Sequence, residues 1–145
     1  MSAAIQHASL CWLLHLAFAA MAVLLGPFPL MAAVLLGLFI ATQAMAAGYL
    51  RDDCDVDAQR PVVLLCHAPG ILLSAWTLGM FAGVLGQRFA PLVCLQLWTA
   101  AWAPLITLVP RGGYHSHYLW LVAALPWLQA AFMLRLAQAE PAAGR

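Results

Sequence analysis

The sequence predicts an all-α integral membrane protein, a single bundle of five transmembrane helices. Two observations carry that expectation. Hydrophobic residues make up 66% of the 145 residues and charged residues only 8%, where soluble domains carry roughly 25%; so few charges cannot cover a surface in water. The apolar residues also fall into five runs of 18 to 26 residues, at 8–25, 29–50, 61–86, 91–109 and 118–136, each near the ~20 residues that a spanning helix needs. Lipid offers the backbone no hydrogen-bond partners, so runs of this kind must be helices.

Taken in order, the first run (8–25) has no positively charged residues before it and a second run directly after it, so it is expected to stay in the protein rather than act as a signal peptide. Gly26-Pro27-Phe28-Pro29 forms a tight turn into the second run (29–50). An alternative of four helices, with this first pair as a re-entrant hairpin, follows from how short the first run is. Residues 51–60 are polar and read as a loop. The third run (61–86) contains Pro69-Gly70, the fourth (91–109) Pro104 and the fifth (118–136) Pro126. Pro110-Arg111-Gly112-Gly113 separates the last two.

Five crossings put the N-terminus, the 51–60 loop and the 110–117 loop on one face. Arg51, Arg60 and Arg111 lie there, and Arg88, Arg135 and Arg145 lie opposite. The positive-inside rule weighs basic residues, and three against three decides nothing. A short N-terminus without Lys or Arg favours placing the acidic loop outside, in the periplasm; the compact, Ala/Leu-rich composition suggests a bacterial inner membrane. Small residues at fourfold spacing, Ala33, Gly37 and Ala41 in the second run and Ala75, Gly79 and Gly83 in the third, predict close helix packing within the chain. Trp12, Tyr49, Tyr114, Tyr118 and Trp120 are expected to form an aromatic belt at the same face.

The same topology gathers chemistry. His15 and His67 fall at equal depth on parallel helices, about 10 Å below that face at 1.5 Å rise per residue. Cys11 and His15, four residues apart, share a helix face. Imidazole and thiolate bind transition metals and haem iron, so His15 and His67 are candidate axial ligands of a haem b. His115 and His117, with Cys54, Asp53, Asp55 and Asp57, are candidate metal ligands. The 51–60 stretch is not an EF-hand, since Ala58 stands where glycine is needed and Leu64 where the bidentate glutamate belongs.

Absences narrow the function. There is no lysine and the net charge is +1, which excludes nucleic acid as an expected partner. No Asp or Glu lies within an apolar run, which disfavours a carboxylate-driven antiporter. No nucleophile–base pair, phosphate loop or C-x-x-C is present, so the protein is not expected to be an enzyme. In size and tryptophan count the chain resembles the tryptophan-rich sensory (translocator) family, but it lacks that family's Pro/Trp-rich first-loop motif. It also lacks the cysteine pairs of disulfide-forming quinone reductases, so neither family's properties carry over. Three functions remain. The first is a non-catalytic accessory subunit of a larger inner-membrane complex, working among other membrane subunits or as a homo-oligomer in the lipid bilayer. The second is a haem- or metal-binding redox protein using His15 and His67. The third is a small transporter with a site lined by Gln43, Gln96 and Gln129.

Overall fold

The computed structural model of the chain describes residues 3–86, 89–106 and 115–139. In chain order its helices are α1 (Ala3–Leu25), α2 (Pro29–Asp53), α3 (Val56–Phe81), α4 (Phe89–Trp98), a 3-10 turn over Ala100–Trp102, α5 (Ala103–Ile106) and α6 (His115–Gln138). Four of them, α1, α2, α3 and α6, are long and apolar enough to cross a membrane. At 1.5 Å per residue they measure about 35–39 Å, against a hydrocarbon core of about 30 Å. Their outer faces carry leucines such as Leu24, Leu30 and Leu72, exposed by 73%, 77% and 69%, a surface suited to lipid.

The expectation of five transmembrane helices is therefore corrected to four among the described residues. The number is that of the four-helix alternative, but the first hairpin is not its exception. Both α1 and α2 are full-length; the broken segment is the fourth run. Pro104 has no N–H to give Ala100, and the chain tightens instead into i→i+3 bonds, Trp102 N to Thr99 O at 2.9 Å and Ala103 N to Ala100 O. Thr99 also donates its hydroxyl to Leu95 O at 2.9 Å.

The direction of α6 follows from its partners on α3. Ser74 donates to Ala123 O and receives a bond from Trp127 Nε1 at 3.1 Å. A methyl placed on Gly70 would meet Pro126 Cβ at 3.1 Å. Further along, Val62, Val63 and Cys66 share one core with Ala130, Met133 and Ala137. Numbers rise on one helix as they fall on the other, so the two are antiparallel and α6 begins at the end where α3 stops. The intervening α4, 3-10 turn and α5 consequently form a re-entrant element. It enters from that end and touches α1 and α2 at its tip, and Ile106 packs again beside Val122 and Ala123 near the start of α6.

This reversal corrects several expectations. The first turn of α6, with His115, lies at the opposite end of the bundle from the α2–α3 junction, and so do Tyr118 and Trp120. Trp12 and Tyr49 stay near the junction, so the aromatic residues occupy both ends. Tyr114 and Pro110–Gly113 lie outside the described residues. The ten-residue polar loop is also shorter than expected: α2 continues to Asp53 and α3 starts at Val56, leaving Cys54 and Asp55 as their caps.

Nor does α3 reach residue 86. It ends in a Schellman motif, with Gly83 N bonded to Met80 O at 3.1 Å and Val84 N to Gly79 O at 3.0 Å. Gly83 takes φ 73°, a conformation glycine adopts without strain. The Gly79/Gly83 pair thus terminates a helix rather than packing two together. On α2 the expected ridge faces outward: Ala33, Gly37 and Ala41 are exposed, and a Cβ on Gly37 would touch nothing within 4 Å.

Pro69 removes the N–H that would bond Leu65 O within α3. Trp12 of α1 supplies the substitute, donating Nε1 to Leu65 O at 3.1 Å. Trp12→Phe is expected to lose about 1 kcal/mol of stability, the usual range for interhelical bonds in membranes. In a Pro69→Ala background, where residue 69 regains its N–H, the loss should shrink to near zero. Denaturant unfolding in mixed micelles of both single variants and the double variant checks this.

Candidate functional site

Two apolar cores divide the bundle. One, near the α2–α3 junction, contains Ala8, Cys11, Leu50, Val63, Cys66 and Met133. The other, at the far end, gathers Leu95, Ile106, Val122, Ala123 and Leu125. Between them lies a layer of buried polar and aromatic side chains.

Register places one polar residue from each long helix in that layer. α1 and α3 run parallel, with Trp12 against Leu65 and His15 against His67. α1 and α2 run antiparallel, with His15 against Phe39, and Cys11 sharing a core with Ala47 and Leu50; Gln43 falls between Phe39 and Ala47. Across α3, the α6 residue level with His67 is Gln129. All four are buried: His15 is 1% exposed, Gln43 4%, His67 0% and Gln129 4%.

The His15 and His67 rings meet edge to face with centroids 5.4 Å apart. His15 Nδ1–H donates to Cys11 O at 2.9 Å, the carbonyl one turn earlier, which leaves Nε2 as a lone-pair nitrogen facing the interior. Phe39 closes another side of His15, edge-on at 5.2 Å.

The re-entrant tip covers this layer. Trp98 stacks flat on His15, with centroids 4.6 Å apart and planes 10° from parallel. Its indole also lies directly over Gly70, where an added Cβ would collide with Nε1. Trp102 meets Phe39 edge to face at 6.0 Å. Several polar atoms here are buried without a hydrogen-bond partner in the protein: His15 Nε2, both nitrogens of His67, Gln43 Oε1, both amide atoms of Gln129, and the indole N–H of Trp98 and Trp102. Such an atom costs roughly 1–3 kcal/mol when left unpaired, and native structures hold few.

The sequence pointed to His15 and His67, and the structure puts them in contact. Gln43 and Gln129 join them, while Gln96 is only half-buried. Trp98 and Trp102 were not singled out as site residues; only a broken fourth segment brings them here, and hydropathy does not register the break. The expected metal set is not assembled. Asp53 ends α2, Asp55 caps α3 and Asp57 sits in its first turn, so they do not alternate along an extended strand. Asp53 pairs with His7 at 3.5 Å. His115 and His117 begin α6 at the other end of the bundle. Among the described residues no three His, Cys, Asp or Glu are grouped to hold a metal ion.

No family model matches the chain, and neither the curated proteins nor the solved structures contain a match.

Gly70→Ala tests how tightly the tip is seated. The added methyl must push Trp98 away from His15, and overpacking of this kind costs about 1–3 kcal/mol. Thermal unfolding in detergent should show the loss, and near-UV circular dichroism should show a changed tryptophan signal.

Proposed function

We propose that this small polytopic membrane protein is a carrier for a cation held by nitrogen lone pairs, with His15 and His67 as the groups that take it up inside the bilayer. The observation that carries the proposal is His67: wholly buried, with neither ring nitrogen partnered in the protein, against a second imidazole whose Nε2 is equally unpartnered. Ionisable groups within membranes mark ion pathways by default. Folding alone gives little reason to keep them, because an apolar side chain of similar volume is often as stable or more so. Imidazole lone pairs accept protons and late transition metals. Calcium and magnesium need oxygen-rich cages, and no carboxylate from the described residues falls in this layer.

His67→Leu separates function from architecture. The variant is expected to unfold at the same temperature as the native protein or higher, yet to lose cation flux. Liposomes loaded with a pH-sensitive dye, and in parallel with a transition-metal dye, measure that flux. Equal flux in the variant and the native protein sinks the proposal.

The accessory-subunit alternative draws on a different observation, the outward-facing Ala33–Gly37–Ala41 ridge of α2, a surface on which another helix can approach closely. Co-purification of a second membrane protein, lost on Gly37→Leu, would favour it.

The reversal of α6 also changes the charge tally. Arg135 lies in the last turn of α6, at the same end as Arg51 and Arg60. The three described arginines thus collect at the α2–α3 junction, and by the positive-inside rule we assign that end to the cytoplasm rather than the periplasm. A membrane-impermeant maleimide should label Cys54 in inside-out vesicles and spare it in intact cells.

A further inference from the structure

A cavity of about 400 Å³ opens at the α2–α3 junction, with the His7–Asp53 pair at its edge. Cys11, Cys66 and Met133 line it deeper in. All three are buried, at 4%, 0% and 2% exposure. Cys11 of α1, Cys66 of α3 and Met133 of α6 belong to one packed core, and both cysteines are free. Two thiols and a thioether lining one cavity form a soft donor set.

We propose that Cys11, Cys66 and Met133 form a binding site for a soft monovalent d10 metal ion of the Cu(I) class, loaded through this cavity. The site is distinct from the imidazole layer and stands on separate observations. Donor type selects the metal. Thiolate and thioether sulfur favour Cu(I), which is content with two or three ligands. Zinc wants four, in a tetrahedron, and among the described residues no third His, Cys, Asp or Glu is grouped with the pair. When the ion binds, both S–H bonds break, two metal–thiolate bonds form and the two protons leave through the cavity, while the Met133 thioether completes the coordination as a neutral donor.

The test uses the full chain, reduced and purified in detergent, with Ag(I) as a redox-stable stand-in and Cu(I) delivered from a bicinchoninate buffer. An ultraviolet sulfur-to-metal charge-transfer band saturating at one metal ion per chain is expected, a signal that metal held by the imidazoles does not give. Cys11→Ala and Cys66→Ala should abolish the band, and Met133→Leu should weaken the affinity it reports by about tenfold, on the scale seen when a supporting group is lost from a metal site. Cys54→Ala, Cys94→Ala and His67→Leu should leave it intact, the last separating this site from the imidazole layer. Circular dichroism and a monodisperse elution profile establish that each variant is folded. Absence of the sulfur-to-metal band, or a band that survives in the folded Cys11→Ala/Cys66→Ala double variant, overturns the proposal. So does a Cys11–Cys66 disulfide in protein alkylated at cell harvest, which would mark the thiols as a redox pair.

Discussion

The antiparallel seating of α3 on α6 is the constraint from which the rest of the molecule follows. Ser74 anchors it, donating to Ala123 O while accepting from Trp127, and Gly70 lets the helices close up beside Pro126. In lipid no hydrophobic force drives helices together, so packing and interhelical hydrogen bonds must do so. Once α6 is fixed antiparallel to α3, the chain between them must begin and end at one side of the membrane. The re-entrant element, the separation of His115 from the aspartates and the clustering of Arg51, Arg60 and Arg135 are all consequences of that one register.

Much of this was legible in the residues. Composition and run length identified a membrane protein, and four of the five runs became long helices. The depth argument for His15 and His67 needed only two parallel helices and a fixed rise per residue, and those two helices are intact. The fourth run was misread because hydropathy averages over a window. Residues 91–109 are as apolar as a spanning helix, and Pro104 alone does not distinguish a kink from a turn. That single error changed the parity of the topology. It displaced every residue of α6 to the wrong end and hid Trp98 and Trp102 from view. The outward face of the α2 ridge was equally hidden, since spacing tells which residues share a face but not what the face meets.

The polar layer is unusual in how it is bounded. Each long helix contributes one buried polar side chain to it, and apolar cores lie on either side. Aromatic rings, Phe39, Trp98 and Trp102, form its walls. Such rings pack tightly around imidazole but offer it few hydrogen bonds, which is why several nitrogens and amide atoms end up unpartnered. Spread over a loosely packed bundle, the same groups would find carbonyls or each other. Concentrated between stiff rings, they stay unpartnered within the protein.

The seating of the re-entrant tip makes the bundle unequal end to end. From the α2–α3 junction an open cavity runs inward as far as Cys11 and Cys66; on the far side the indole of Trp98 lies flat on His15 like a stopper. The bonds that shape the stopper, Thr99 to Leu95 and Trp102 to Thr99, are internal to it. Leu95 and Ile106 seat it in the far core against Val122, Ala123 and Leu125. A single inserted piece of some 18 residues (89–106) thus leaves one end of the bundle plugged by an indole and the other open to the cavity.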